Sequence, residues 1–233
     1  MAATKLVLFD IDGTILLSSG AGRRAIVSAI AEEIGDTGPL TDIPFGGKTD
    51  PQIVTELLAA AGEREPPSSD RVTGICRRYV ELLATELDRP TTRTCVMPGV
   101  HQLLHSLERE TGIILGLLTG NLAQGARLKL RAAGIDPERF QVGAYGSDAA
   151  HRPDLPPIAA RRATRFFGHE PRGHAVVIIG DTPADIDCGS CIEARAVAVA
   201  TGDYSVADLL ACGPHAVFED LSDTDGVLHA ILH

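Results

Sequence analysis

Short apolar runs rich in Val, Ile and Leu recur along the chain at residues 5–9, 113–118, 140–145, 175–180 and 196–200, with one more at 216–218. Runs of this length without polar alternation are the pattern of strands buried on both faces. Between them the apolar period lengthens to that of a helix. Leu122, Ala126, Leu130 and Ala133 fall on one face, and Gly134 stands where a C-terminal cap belongs. Strands alternating with helices predict an α/β fold, a doubly wound parallel sheet with helices on both faces. The run at 216–218 would extend one edge of that sheet.

The stretch from residue 16 to residue 95 is far longer than a strand-to-strand crossover requires, and an inserted domain is the natural reading. Its apolar residues keep helical spacing throughout. Ile26, Ala29, Ile30 and Ile34 form one stripe, Ile53, Val54, Leu57, Leu58 and Ala61 a second, and Val72, Ile75, Tyr79, Leu82 and Leu83 a third. Asp50-Pro51 is read as the cap and first residue of the middle helix. The expected organisation is therefore a core of residues 1–15 and 96–233 and an all-helical cap of residues 16–95. The hinges would be Leu16 to Gly22, rich in Ser and Gly, and Asp88 to Gly99, with two prolines.

Chemistry gathers where the apolar runs stop. Behind Leu6-Val7-Leu8-Phe9 stands Asp10-Ile11-Asp12-Gly13-Thr14, two carboxylates two positions apart at the end of a strand. Residues i and i+2 of a strand point to one face, so the two acids can share a site, and Gly13 lets the chain turn behind them. Close anions repel, and the repulsion is relieved by a raised pKa or by a hard cation such as Mg2+ that prefers oxygen ligands. The run at 113–118 ends in Thr119-Gly120-Asn121, a row of oxyanion donors whose bland reading is a capped helix start. The run at 175–180 ends in Gly180-Asp181-Thr182-Pro183-Ala184-Asp185. Open α/β sheets bind ligands outside the carboxyl ends of their strands, so all three segments deliver polar groups to one edge. Asp-Gly after a strand is also ordinary turn chemistry; the joint order of the three segments argues for a site.

These three motifs, with Gly46-Gly47-Lys48-Thr49-Asp50, Met97-Pro98-Gly99-Val100 and Ala196-Val197-Ala198-Val199-Ala200-Thr201-Gly202, make the chain resemble the haloacid dehalogenase superfamily of phosphotransferases and, within it, the phosphoglycolate phosphatase-like branch. The resemblance implies a Rossmann-like core with a helical cap of the C1 type. It implies that Asp10 is a nucleophile forming an aspartyl-phosphate and that Asp12 is the general acid and base. Mg2+ would be held by the Asp10 carboxylate, the Asp12 backbone carbonyl and Asp181, with Asp185 holding a metal-bound water. Thr119, Gly120 and Asn121 would hold the phosphoryl oxygens, and Lys48 would reach over the substrate from the cap. The superfamily pattern has a lysine behind the third strand, but this chain has none after Lys129; the best match is Arg152 in His151-Arg152-Pro153-Asp154. Arg127 and Lys129 are the fallback cations.

Composition sets bounds on partners. Of 233 residues 22% are charged, and no apolar run reaches the 18 or more residues of a membrane helix, so an ordinary globular chain is expected without a membrane partner. The formal net charge of −10 disfavours nucleic acid. The first strand begins within five residues, leaving no signal peptide in this reading, and five cysteines without a framework spacing fit a reducing, cytoplasmic setting. The expected partner is a small phosphorylated metabolite; monomer and homodimer are both left open.

Other patterns lead elsewhere. Gly47-Lys48-Thr49 ends like a P-loop, but Asp42 occupies the place of its first glycine. Cys188 and Cys191 form C-x-x-C on an expected helix, where packing rather than redox chemistry accounts for small residues. His101 and His105 are i and i+4, but Gln102 stands where a zinc protease would carry Glu. The leading function is Mg2+-dependent hydrolysis of a small phosphomonoester. Sugar phosphomutase-type transfer is the alternative; metal-free dehalogenation is disfavoured by Asp12, and a catalytically silent binding protein by Asp10, Asp12, Thr119 and Asp181 together.

Overall fold

The computed structural model describes residues 4–35 and 43–233; Asp42, weighed above in the P-loop comparison, lies outside them. Six parallel strands make the main sheet, in the order β5-β4-β1-β6-β7-β8. They are β1 (Lys5–Phe9), β4 (Ile113–Thr119), β5 (Val142–Tyr145), β6 (Val176–Gly180), β7 (Arg195–Val199) and β8 (Ala216–Phe218). The five apolar runs are thus strands, with bounds that agree to within two residues, and the run at 216–218 forms the predicted edge.

Alternation along the strands builds a core on each face of the sheet. Val7, Phe9, Leu115, Leu117, Val177, Ile179, Val197 and Val199 pack against α4 (Val100–Arg109), α5 (Ala123–Ala132) and α9 (Thr224–Leu232). Leu6, Leu8, Ile114, Val142, Ala144, Val176 and Ile178 pack on the other side against α6 (Leu155–Phe167). Strands buried on both faces carry polar residues only at their ends, here Lys5, Thr119 and Arg195, which is why their sequences read as near-continuous apolar runs. β1 lies between β4 and β6, and the chain leaves it first toward β4 and β5 and later toward β6, β7 and β8. The strand order reverses at β1, and its carboxyl end is where an open sheet opens a crevice.

Among the described residues, three helices fill the insertion between residues 17 and 95: α1 (Ala21–Ile34), α2 (Asp50–Ala60) and α3 (Ser69–Leu87). They share a separate apolar core containing Ile26, Ile30, Val54, Leu57, Leu58, Tyr79 and Leu83. The two connections to the sheet are not plain hinges. β2 (Leu16–Leu17) and β3 (Cys95–Val96) pair antiparallel into a two-residue ribbon, so both entry and exit strands are hydrogen-bonded to each other. Two residues per strand are too few to show a period, and the sequence pattern could not reveal them.

The start of α2 also differs from the expected cap. Thr49 is the N-cap, its Oγ1 accepting from Gln52 N at 3.3 Å, with Asp50 first in the helix and Pro51 second. Thr is a favourable cap, though below Asp in preference, and using Thr49 releases the Asp50 carboxylate for another partner. Among the described residues no helix is long and apolar enough to cross a membrane.

Candidate active site

At the carboxyl ends of β1, β4 and β6, a cavity of about 430 Å³ opens between the sheet and the three inserted helices. Asp10, Asp12, Thr119, Gly120, Asn121, Asp181, Arg152 and Lys48 all line it. Every one of these positions comes from the motifs read in the sequence.

On the floor, ligand oxygens of Asp10, Asp181 and Asp185 lie within 4.8 Å of one another, and all three residues are buried. Burial pushes Asp10 up to about 6, against the lowering influence of the Arg152 guanidinium and with Asp185 and Asp12 adding repulsion. Burial likewise raises Asp181 to about 8, assisted by Asp10 and Asp185 and opposed by its bond from Thr14 Oγ1 at 3.1 Å. Carboxyls that bind protons this readily are carboxylates short of positive charge, and an all-oxygen group of three suits a hard divalent cation. Gly202 and Gly13 keep space for this group, since a Cβ there would lie 1.9 Å and 2.3 Å from Asp181 Oδ2.

Arg152 is not a surface arginine. It is 4% exposed, in a 3-10 turn (Arg152–Asp154) ahead of α6. Its Nη2 lies 3.2 Å from Asp10 Oδ1 and also donates to Asp185 Oδ1. The other Asp185 oxygen accepts from Thr182 N at 3.0 Å and from Thr182 Oγ1, closing a capping box at the start of α7 (Pro183–Cys188). Asp185 is therefore held from both sides before any ion is considered.

Asp12 turns away from the acidic group. Its Oδ2 accepts from Lys129 Nζ at 2.6 Å and from Asn121 Nδ2 at 2.8 Å. Asn121 Nδ2 also reaches Thr119 Oγ1 at 2.8 Å, and Asn121 N donates to the same oxygen at 3.3 Å, so the Thr119 hydroxyl keeps its own proton to offer. The expected fallback resolves cleanly: Lys129 is buried beside Asp12, whereas Arg127 pairs with Glu138 at the surface.

Thr119-Gly120-Asn121 does stand directly ahead of a helix, as its bland reading has it, but supplies no side-chain cap to it. The N-cap of α5 is Leu122, whose side chain makes no cap bond. Instead Leu122 N donates 2.8 Å to Asp50 Oδ2, so a carboxylate from the inserted domain caps a helix of the core. Beside it Asp50 N donates to Gly120 O at 2.8 Å, and a Cβ on Gly120 would lie 2.0 Å from Lys48 O. The Gly46-Gly47-Lys48-Thr49 loop thus sits directly on the Thr119-Gly120 turn, and only glycine permits that approach. Lys48 is 22% exposed in its side chain and ion-paired to Glu56. Arg23, also on the cavity wall, stacks its guanidinium 3.8 Å over Phe45 and donates to Ile43 O at 2.9 Å.

Asp50 carries a pH signature. Burial raises its pKa to about 6, against the lowering effects of Lys129 and the Leu122 bond. Since the folded value exceeds the ordinary 3.8, folding favours the protonated form; the stabilisation is complete below the unfolded value and is lost as pH rises through about 6. Asp50→Asn, which keeps an oxygen for Leu122 N, is expected to equal the wild type near pH 4 and to exceed it by on the order of 2 kcal/mol at pH 7. Urea unfolding of the metal-free proteins across that range measures the difference, and parallel pH curves would remove Asp50 from the account.

Sequence reasoning missed Thr14 and Thr182, gave Asp50 a capping role on the wrong helix, and ranked Lys129 behind Arg152. Lys129 did carry a signal: it interrupts the apolar stripe of Leu122, Ala126, Leu130 and Ala133, and a charge on a buried face needs a partner. Of the other constellations, only Cys188 comes near the site, buried against Arg152. Cys188 is buried and Cys191 exposed, all five cysteines are free, and His101 and His105 lie exposed on α4.

Comparison with known proteins agrees with this arrangement. A phosphoglycolate phosphatase of Cereibacter sphaeroides is 28% identical over 228 residues, covering 97% of this chain and 98% of that protein. A phosphoglycolate phosphatase of Rhodospirillum rubrum is 28% identical over 221 residues, covering 94% and 88%. Among solved structures, CbbY from Rhodobacter sphaeroides in complex with phosphate superposes with a TM-score of 0.69 at 19% identity, over 96% of each chain, a likeness of fold. The haloacid dehalogenase-like hydrolase family matches residues 7–190, a span that contains the acidic group, the Thr119 turn, Arg152 and the inserted helices, and the chain belongs to that family.

Proposed function

We propose that the chain is a Mg2+-dependent phosphatase that hydrolyses a small phosphomonoester resembling phosphoglycolate by way of an aspartyl-phosphate. The observation that carries the reading is the convergence of Asp10, Asp181 and Asp185 with Arg152 beneath a closed helical cap. The curated relatives of near-equal length support the substrate class by their names.

Asp10 would attack phosphorus, with Arg152 offsetting the charge brought together as one anion approaches another. The Thr119 hydroxyl and the Gly120 amide would hold the phosphoryl oxygens, ordered by Asn121, whose own N–H groups are committed to Asp12 and Thr119, and Asp12 would protonate the departing alkoxide and later take a proton from the hydrolytic water. Asp10, the Asp12 backbone carbonyl and Asp181 would hold Mg2+, with Asp185 behind them. The ion would supply charge neutralisation of phosphate and nucleophile. Lys48, held by Glu56 on the cavity wall, would meet the leaving group. Five unpaired cysteines fit a cytoplasmic setting within this reading.

A steady-state screen of phosphorylated metabolites, run with Mg2+ and after exhaustive chelation, tests the proposal. Turnover of a small phosphomonoester that vanishes on chelation and returns with Mg2+ is expected. Undiminished hydrolysis without metal would sink the metal assignment, and transfer of the phosphoryl group to a second sugar hydroxyl would favour the mutase alternative.

A further inference from the structure

Resting on the phosphatase reading, we propose that Lys129 is a positioning residue that fixes the Asp12 carboxylate for proton transfer, and that the closed cap completes its hold. Lys129 is 4% exposed, and its ammonium has three donors. Two are spent at 2.6 Å on Asp12 Oδ2 and Asn121 Oδ1. Asn121 in turn donates to the same Asp12 oxygen, so Lys129, Asn121 and Asp12 form a closed triangle of bonds. Both contacts fall on Oδ2. Among the described residues no hydrogen bond reaches Oδ1, which leaves that oxygen to carry the transferable proton.

The remaining surroundings of the ammonium come from the cap. A Cβ on Gly22 of α1 would lie 3.3 Å from Lys129 Nζ, so α1 closes against the ammonium, and the same Cβ would lie 3.7 Å from the Tyr79 hydroxyl of α3. Asp50 of α2 caps α5, the helix that carries Lys129. The inserted domain therefore meets this lysine through α1 and holds its helix through α2, whose Asp50 also feels the Lys129 charge. With the cap swung away, water would compete for the ammonium and for Asp12, whose side chain is 41% exposed even here. An acid fixed only under the closed cap protonates a leaving group that is already enclosed.

A general acid matters most when the leaving group is a poor one, which gives the test. Wild type, Lys129→Met and Lys129→Gln are compared in single-turnover experiments with an alkyl phosphate and with 4-nitrophenyl phosphate, with folding checked by circular dichroism and thermal melting. The alkyl ester is expected to slow at least 30-fold more than the aryl ester, with kcat falling and KM changing little. Lys129→Gln, shorter but polar, keeps the test open should Lys129→Met fail to fold. Equal losses on the two esters, or none, in a folded variant overturn the assignment while leaving the phosphatase reading intact. Failure of the wild type to hydrolyse either ester overturns that reading and this proposal with it.

Discussion

Asp10→Asn is expected to abolish turnover while making the metal-free protein more stable. The activity loss follows from the proposed role of Asp10 as nucleophile: at least ~4 kcal/mol of transition-state stabilisation, about a thousandfold in rate. The stability gain follows from the surroundings of the side chain. Burial and the neighbouring Asp185 and Asp12 raise the Asp10 pKa to about 6 despite Arg152. A carboxylate raised above its ordinary value weakens the folded state once pH exceeds that value, and the neutral amide removes the penalty. Sites that strain their own charges for chemistry commonly gain stability when the chemistry is deleted. Rapid quenching should recover a phosphorylated wild-type protein and no such species from the variant. Thermal melting in chelator near pH 7 should place the variant above the wild type. Normal phosphoryl transfer by the variant would exclude covalent catalysis through Asp10, and a lower melting temperature would mean that the Arg152 pairing outweighs the repulsion.

The fold was legible because a sheet covered on both faces leaves a strong trace. Val7 and Leu8 point to opposite cores and both are fully buried, so beyond Lys5 at its start the strand is apolar throughout. The strand ends were legible for a related reason: polar residues clustered directly behind apolar runs have no packing role. What the sequence hid is the seam between cap and core. The β2–β3 ribbon is two residues per strand, below any periodic signal. Asp50 reads as a helix cap from its neighbours alone, yet its partner Leu122 N is 72 residues away. Lys129 was visible only as an oddity in an apolar stripe, because the acid it meets, Asp12, lies 117 residues earlier. Local pattern records what an element needs; it does not record which distant group supplies it.

Arg152→Ala tests the departure of this chain from the lysine usual in its family. Arg152 Nη2 touches both Asp10 and Asp185, and Asp181 lies in the same buried acidic group. Removing the guanidinium leaves two buried carboxylates without their cation, a change that costs about 3–5 kcal/mol when one partner of a buried pair is deleted. It also removes the charge facing the nucleophile, and kcat/KM is expected to drop at least about a hundredfold, equivalent to ~2.7 kcal/mol. Arg152→Lys should retain more activity than the alanine variant, since an ammonium restores charge but cannot reach Asp10 and Asp185 with the breadth of a guanidinium. Mg2+ separates the two losses. Its affinity should not fall in either variant, because deleting a nearby positive charge cannot weaken a cation site electrostatically. Bound Mg2+ should therefore recover much of the lost stability, read by urea unfolding with and without the ion, and little of the lost rate. An alanine variant with wild-type kinetics would hand the neutralising role to Lys129, which already holds Asp12, since Arg127 is committed to Glu138 at the surface. A variant whose Mg2+ affinity fell would show instead that Arg152 shapes the acidic group rather than balancing its charge.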